Sequence, residues 1–550
     1  MNNKIKCLLA AGIVGLAASC TDLNTNVESQ YTAIPGTKAA VEANMANIYF
    51  QFRDALGRRF MEAMTLSSDE WTSLSYSGNW VDGYAYAHTT YHSFTPETVC
   101  VDWMGVLGRA NVTANDVINS DADVSYTAPA RAMRAFFTFI MMDCFGDVPI
   151  VDQAYAEEQG FDMETRRPRK EVAVWLEKEL KEIIPNLSTE TTGENYGKPN
   201  KYMAEALLAK IYLNWAVYTC DDIATFNAST ATNEKLADCI SICDDIINSG
   251  KFALGPDEYR FKFNWDNSER VAAGTIKDFI YVMPYDTYDA QGMQWGRSHV
   301  YKDIKNLNPS YFGEKLNNSG GAYMTVTPEC VNRFSLPGDQ RNFMLAGRCD
   351  KDGNDAKGVV YVYDNTTLLP TDQVTKDKEG NDLVFTKDIT ITGEVASIDV
   401  GDNLQGWRQG YRSMKWFVRD KDYANGRHQS NDVPIFRYAD ILLTKAEALV
   451  RQGGDASAAN SLFNQIRSYV NAPLLQNKVT LNDIYEERGR EFFDEIWRRN
   501  DMIRFGHYED EWFPHYKSNT NANFDPTHRV FPIQRGDLDV NPKWSQNPGY

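Results

Sequence analysis

The sequence lacks the features that mark several large classes of proteins. No run after residue 18 is long and apolar enough for a membrane-spanning helix, and the apolar stretch from Cys7 to Ala18 is itself too short. The 56 basic residues are outnumbered by 75 acidic ones, for a formal net charge of -19 at pH 7. This excess of negative charge argues against nucleic acids and anionic lipid surfaces as partners.

Cysteines are few and scattered beyond Cys20. The odd number and irregular spacing do not form a disulfide framework, and no second cysteine pair or histidine pair follows Cys239 and Cys243 at zinc spacing. We therefore expect buried free thiols, the usual state of such cysteines. The seven are Cys100, Cys144, Cys220, Cys239, Cys243, Cys330 and Cys349.

The motifs of common enzymes are also missing. The sequence contains no Gly-rich phosphate loop, no Gly-x-Ser-x-Gly elbow and no His-Glu-x-x-His helix. His88 and His92 stand four apart, but the residues between them favour strand or loop, so no metal pair is predicted. The run DKDGND places Gly353 at the fourth position of a would-be calcium loop and has no closing glutamate, which predicts a tight turn.

Acidic residues are numerous enough that a catalytic carboxylate pair is easy to imagine. Glu447 and the run EERGREFFDEIWRR at 486–499 are charged helix faces, for which salt bridging is the expected role. The sequence thus predicts no catalytic residue, no metal site and no cofactor.

The N-terminus has the pattern of an export signal. Lys4 and Lys6 precede an apolar stretch, and small residues stand immediately before Cys20, as in a bacterial lipobox. We predict a signal peptide over 1–19, lipidation of Cys20, and a tether over 20–36.

Two helical segments enclose an irregular one. Apolar residues recur at three- and four-residue steps over 37–251 and return over 432–550, as in stacked helix pairs of the tetratricopeptide kind. Residues 252–431 have short β-like runs with turns at KDGND and KEGND, which predict hairpins. Asp455 is a predicted N-cap after Gly453-Gly454. The expected fold is mainly α, with a loop- and hairpin-rich lobe inserted before the C-terminal helices.

Aromatic residues are abundant, with 12 Trp, 29 Tyr and 27 Phe, and two groups lie in turn-like sequence. One follows the first helix, in SSDEWTSLSYSGNW and the residues after it; the other lies in MPYDTYDAQGMQWGRS. Such rings can stack on sugar faces while polar neighbours bind hydroxyls, or they can fill the join between lobes. We predict display for Trp71, Trp80, Tyr84, Tyr285, Tyr288 and Trp295, with Arg297 as a polar neighbour. The alternative for Trp80 is that residues 81–86, which are strand-like, form a strand that turns its ring inward.

Several segments together resemble the SusD/RagB family of Bacteroidetes outer-membrane lipoproteins. The chain is similar to that family in ARAMRAFFTFIMMDCFGDVPIV, GKPNKYMAEALLAKIYLNWA, VPIFRYADILLTKAEALVRQGG, ERGREFFDEIWRRNDMIRFG and the terminal FPIQRGDLDVNPKWSQNPGY. The resemblance implies a tetratricopeptide-like scaffold and a lipid-anchored protein on the cell exterior. Such a protein caps a SusC-like TonB-dependent transporter and delivers oligosaccharides to it without cleaving them.

The resemblance also places an arc of ligand-binding rings after the first helix and in the irregular region. Those regions contain Trp71, Trp80, Tyr285, Tyr288 and Trp295 here. Some relatives bind calcium, and this sequence offers no ligand set to which one can be assigned. RagB-like relatives are linked to peptide uptake, so peptide binding remains the main alternative and glycoside hydrolysis a further one.

Overall fold

A computed structural model describes residues 36–550. The predicted signal peptide, the lipidation site at Cys20 and nearly all of the tether lie outside the described residues. Among residues 36–550, no helix combines the length and the apolar character needed to cross a membrane.

The described chain is mainly helical, as predicted. A π-helical turn over Leu56–Phe60 joins the first two helices. The α-helices are α1 Lys38–Ala55, α2 Met61–Leu66, α3 Ala85–Thr90, α4 Met104–Ile118, α5 Val124–Phe145, α6 Gln153–Gln159, α7 Arg169–Ile183, α8 Lys201–Leu213, α9 Trp215–Thr219, α10 Leu236–Asn248, α11 Asn267–Ala272, α12 Trp295–His299, α13 Pro328–Arg333, α14 Leu404–Trp407, α15 Tyr438–Arg451, α16 Ala456–Tyr469, α17 Leu481–Glu491, α18 Arg498–Phe505 and α19 Arg535–Val540.

The longer helices pack in pairs along the chain. Helix α4 packs on α1 and α5, α5 on α7, α8 on α10, and α10 on α15, which also packs on α16. Small residues such as Ala204, Ala206 and Ala209 are buried at these crossings and let the helices approach closely. Asp455 caps α16 by accepting hydrogen bonds from the N–H groups of Ser457 and Ala458 at 2.8 and 3.1 Å, which confirms the predicted N-cap.

The strands of the described chain are short and form antiparallel pairs. They are β1 Trp71–Ser73, β2 Val148–Pro149, β3 Arg166–Arg167, β4 Phe279–Met283, β5 Met324–Val326, β6 Leu345–Ala346, β7 Tyr361–Tyr363, β8 Pro370–Val374, β9 Arg412–Ser413 and β10 Val433–Arg437. The pairs are β1–β5, β2–β3, β4–β10, β6–β9 and β7–β8. Because β4 pairs with β10, backbone hydrogen bonds join the predicted middle and C-terminal segments. The domain boundaries at residues 251 and 431 stay predictions.

The DKDGND turn is formed as predicted. The Asp350 carboxylate accepts the N–H groups of Asp352 and Asn354, each at 2.9 Å, and Gly353 has a φ of 81°. Asp377 holds the KEGND turn in the same way. The seven cysteines of the described chain are free and all but Cys220 are buried, in agreement with the predicted thiols.

The segment around His88 and His92 differs from the prediction. It forms α3 instead of strand or loop, and within this helix the Thr89 and Thr90 hydroxyls donate to the carbonyls four residues earlier. His92 follows the helix and is buried, with Nε2 3.0 Å from the Ser67 carbonyl and its ring centroid 4.2 Å from that of Tyr508.

The charged run at 486–499 forms salt bridges, as predicted, but inside the protein. Arg488 Nε lies 2.8 Å from Asp501 Oδ2, and Arg341 Nη2 lies 2.7 Å from Glu487 Oε1. Glu447 is paired with Arg504 at 2.8 Å. These carboxylates are fully or almost fully buried, and each is paired with an arginine.

Candidate functional site

Trp71 and Trp295, predicted as displayed rings, are both 0% exposed. Trp71 lies in β1 opposite Val326, its ring centroid is 5.5 Å from that of Trp295 in an edge-to-face contact, and Phe493 stacks on it at 5.9 Å. The Trp295 indole N–H donates to Asp494 Oδ1 at 2.7 Å. The display prediction was wrong for both residues. Strand pairing directs Trp71 into the interior, and Trp295 packs against Trp71 and donates to Asp494 there. The turn-like composition belongs to the loop after the strand.

Tyr285 is also buried, so the display prediction was wrong for it as well. It follows β4, and its hydroxyl donates to the Arg53 carbonyl at 2.7 Å. Tyr288 is 56% exposed, at a turn in which Asp286 accepts the N–H groups of Tyr288 and Asp289. The two tyrosines of MPYDTYD therefore differ: Tyr285 fills the core, and Tyr288 is exposed to solvent.

The loop over 77–84 has an unusual backbone. Ser77, Trp80, Asp82 and Tyr84 have φ values of 49°, 65°, 44° and 65°, in the left-handed region that non-glycine residues rarely occupy. Asp399 anchors the start of the loop by accepting the N–H groups of Ser77 and Gly78 at 3.0 and 2.9 Å. Backbone of this kind costs free energy and is concentrated at ligand sites, where the surrounding structure holds it in place. The strand predicted over 81–86 is not formed.

Trp80 is half-buried and lies flat on Tyr323. The two ring centroids are 5.2 Å apart with planes at 13°, and Tyr86 stacks on Tyr323 at 5.3 Å. The Tyr323 hydroxyl lies 2.7 Å from Ser298 Oγ, which fixes the middle ring. Because Tyr323 and Tyr86 are buried, Trp80 is the solvent-facing ring of a rigid three-ring stack.

Tyr84 is also half-buried, and its ring stacks on His88 at 6.0 Å. Its hydroxyl lies 3.1 Å from Glu394 Oε2, and this hydrogen bond to a carboxylate raises the pKa of Tyr84. Val395, next to Glu394, is 46% exposed. Tyr84 therefore extends the aromatic surface towards the loop over 394–402.

Arginines surround the ring stack. Arg58 and Arg59 come from the π-helical turn, a feature frequent at functional sites, and both pair with the buried Glu62, at 3.3 and 2.7 Å. Arg297, in α12, is half-buried, and Arg427 is exposed in a neighbouring loop. Burial and the nearby charge of Arg427 lower the pKa of Arg297. We call the surface formed by Trp80, Tyr84, Arg58, Arg297 and Arg427, with the buried Tyr86 and Tyr323 beneath Trp80, the Trp80 face.

Trp407 flanks this face and was not predicted as a site residue. Lys302 and Lys378 lie over its ring at 3.9 and 4.1 Å, and its indole N–H donates to Asp402 at 3.1 Å. The ring is only 7% exposed. The two lysines are therefore what this part of the surface presents to solvent.

Sequence reasoning also missed Tyr323, although a local signal exists. Gly320 and Gly321 precede it, and a Cβ at Gly321 would lie 2.5 Å from the Tyr323 ring and 3.2 Å from the Arg297 carbonyl. Only glycine fits there, because the chain runs close against the end of α12. A glycine pair before an isolated tyrosine is thus a sign of a tightly packed ring.

The described residues contain no group of three or more His, Cys, Asp or Glu arranged to hold a metal ion. A cavity of about 720 Å³ lies away from the Trp80 face, between α4 and the C-terminal tail. Met104, Val112, Met141 and Val540 line it, and Trp544 borders it with its N–H donating to the Glu164 carbonyl at 2.7 Å. Gln51, Arg109, Glu164, Asp537 and Lys543 also line it, so the cavity combines apolar and charged side chains.

Comparison with known proteins connects this arrangement to one family. The sequence profile of the SusD family matches residues 277–550. Starch-binding protein SusD of Bacteroides thetaiotaomicron is 23% identical over 488 residues, which cover 86% of this chain and 82% of that protein. SusD-like protein P2 of Formosa agariphila is 24% identical over 468 residues, covering 81% and 79%.

Solved structures have the same fold. A laminarin-binding SusD-like protein superposes with a TM-score of 0.65 at 18% identity, covering 94% of this chain and 100% of that one. Surface glycan-binding protein A from Bacteroides thetaiotaomicron, in complex with laminarihexaose, superposes with a TM-score of 0.63 at 17% identity, covering 93% and 99%.

Proposed function

This chain belongs to the SusD family, and from that premise we propose that it is a non-catalytic protein that binds oligosaccharides or polysaccharides on the Trp80 face. The observation on which the proposal rests is the half-exposed Trp80, stacked on Tyr323 in a loop of left-handed residues. Relatives described as starch-binding and laminarin-binding support the ligand class.

The physical basis is stacking on a preformed surface. A sugar ring presents C–H bonds on one face, and an aromatic contact of this kind contributes about 1 kcal/mol beyond area burial. Because Tyr323 and the loop already fix Trp80, little ring entropy is lost on binding. Tyr84, Tyr288 and Arg297 would add stacking and hydrogen bonds, which gives an affinity in the micromolar to millimolar range, weak enough for release of the cargo.

We further propose that the protein is anchored in the outer membrane through lipidated Cys20, faces the cell exterior, and delivers its ligand to a SusC-like TonB-dependent transporter. The N-terminal sequence pattern and the family resemblance support this part. Co-purification from solubilised outer membranes tests it: the lipoprotein should travel with a barrel protein, and a Cys20→Ala variant should leave the membrane fraction.

The binding proposal is tested with a panel of polysaccharides and peptides, scored for affinity by calorimetry and for new reducing ends. We expect reversible glycan binding, no reducing ends, and a loss of about tenfold or more in affinity for Trp80→Ala. Trp544→Ala is the matched control, since Trp544 is equally half-buried but borders the distant cavity. Binding of peptides alone would favour the RagB-like alternative, and new reducing ends would indicate a glycoside hydrolase.

A further inference from the structure

We propose that the ligand is an acidic glycan, whose carboxylate or sulfate group is bound by Arg297 and Arg427 while a neighbouring sugar ring stacks on Trp80. This inference rests on the proposed glycan-binding function and narrows its ligand class.

Arg297 has a side chain whose charge lacks a partner among the described residues. Its backbone is fixed, because the carbonyl accepts the Gly321 N–H at 2.9 Å and the next residue, Ser298, holds the Tyr323 hydroxyl. Its Nε is buried without a hydrogen-bond partner, and none of the described carboxylates lies within 4.0 Å of the guanidinium. The buried Nε is therefore desolvated without a compensating hydrogen bond to any described residue.

The second observation is the neighbour of Arg297. Arg427 lies in the loop over 419–428, which is held to the rest of the protein by the Gly292 N–H donating to His428 Nδ1 at 3.2 Å. Arg427 likewise has no ion pair with a described carboxylate. The loop continues against α12, since the Gln429 N–H donates to the Met293 carbonyl at 3.0 Å and a Cβ at Gly296 would meet the Gln429 side chain. Two positive charges brought near each other in this way repel, and this occurs in a chain whose net charge is -19.

Three acids near this pair have other partners. Glu62 is shared by Arg58 and Arg59, so that cluster remains positive. Asp422 accepts hydrogen bonds from Thr287 and Ser430, and Asp286 lies 3.9 Å from Arg419. Within the described residues, Asp420, in the loop over 419–428, has no side-chain partner, but no carboxylate, that of Asp420 included, lies within 4.0 Å of a nitrogen of Arg297 or Arg427.

An anion from outside would satisfy both arginines at once. Guanidinium groups bind carboxylates and sulfates through paired hydrogen bonds, which are stronger than those to neutral hydroxyls. Arg297 adjoins the base of the Trp80–Tyr323 stack through Gly321 and Ser298, so one short acidic oligosaccharide can meet the ring and the charge together. A neutral glycan would leave both charges without a counter-ion.

Calorimetry on the full-length chain in detergent tests the inference with three oligosaccharides of equal length: an oligogalacturonate, a sulfated galactan and a neutral glucan. We expect one anionic probe to bind at least about tenfold more tightly than the glucan. Its affinity should weaken when NaCl is raised from about 50 to 500 mM, while binding of the glucan should not change. The tighter of the two anionic probes identifies carboxylate or sulfate as the bound group.

Variants separate the two proposals. Arg427→Gln, at an exposed position that should not disturb folding, and Arg297→Gln should each lower affinity for the anionic probe by about tenfold or more. Arg535→Gln, which removes an exposed charge paired with Glu97, should leave it unchanged. If all three probes bind with equal affinity and Trp80→Ala weakens them all, the proposal of an acidic ligand is wrong and the proposal of glycan binding is supported. If no probe binds and an acidic peptide binds through Arg427, both proposals fail.

Discussion

Trp71 and Trp80 come from one stretch, SSDEWTSLSYSGNW, and end in opposite environments. Trp71 is fully buried against Trp295 and Phe493, whereas Trp80 is half-exposed on Tyr323. Their neighbours in sequence are similarly polar, so composition does not distinguish them. The backbone does, because Trp71 is in a paired strand and Trp80 is in a left-handed loop. The first region should therefore determine stability, and the second should determine binding.

Among the variants of these two regions, Trp71→Ala should have the largest effect on the free energy of unfolding. Removing a buried indole should lower the free energy of unfolding by about 3–5 kcal/mol, since it deletes contacts with Trp295, His299 and Phe493. Urea denaturation measures the change. Trp80→Ala is the matched control, with an expected loss of about 1 kcal/mol or less. Equal losses for the two variants would contradict the division into a buried and a displayed tryptophan.

Asp69→Asn tests the ionic support beneath Trp71. Asp69 accepts two hydrogen bonds from Arg498, each at 2.8 Å, and a further one from Arg333. Burial alone would raise the pKa of Asp69, but these two arginines hold it well below its usual value. Since the variant leaves the buried Arg498 guanidinium without its counter-ion and Arg333 with Glu486 alone, we expect a loss of about 3 kcal/mol at pH 7.

The sign of the pH dependence follows from the lowered pKa of Asp69. Its contribution is complete above the unfolded pKa of about 4 and is lost as the pH falls towards the folded pKa. The wild type should therefore lose stability more steeply than Asp69→Asn below about pH 4. Glu97→Gln, in an exposed pair with Arg535, should follow the wild type. Parallel acid curves for the wild type and Asp69→Asn would show that the pair contributes little.

The difference between the two regions also shows which structural features could be predicted from the sequence. Helices such as α5 and α15 follow from apolar periodicity, and the Asp455 cap follows from local hydrogen bonding, so short-range pattern was sufficient. The burial of Trp71 depends on β1 pairing with β5, more than two hundred residues away in the chain. The Trp80–Tyr323 stack is equally non-local. Display of Trp80, Tyr84, Tyr288 and Arg297 stays a prediction until binding is measured.

Asp494→Asn should change the pH dependence of the buried region in the opposite direction. Burial raises the pKa of Asp494 to about 7, and its Oδ2 has no hydrogen-bond partner among the described residues. The group therefore stabilises the fold fully below about pH 4, and this contribution is lost as the pH rises to about 7. Asn can still accept the Trp295 N–H and tolerates the φ of 60°.

We therefore expect Asp494→Asn to be more stable than the wild type at pH 7, by the order of 1 kcal/mol, and to lose less stability between about pH 4 and 7. Thermal unfolding across this range measures both effects. Asp372→Asn, at a side chain that is 88% exposed, serves as the control and should match the wild type. A destabilised Asp494→Asn protein at pH 7 would mean that the ionised carboxylate is the favoured form.

The smallest expected effect concerns the support of Trp80 by Tyr323. If a ligand stacks on Trp80, Tyr323 acts through that ring, so Trp80→Ala and Tyr323→Leu should not be additive in glycan affinity. We expect a coupling of about 1 kcal/mol in a double-mutant cycle. Tyr323→Phe keeps the ring and loses only the contact with Ser298, so its affinity should stay close to that of the wild type. Additive losses would instead mean that Tyr323 binds the ligand independently, and the displayed region would then consist of two separate contacts and not one supported ring.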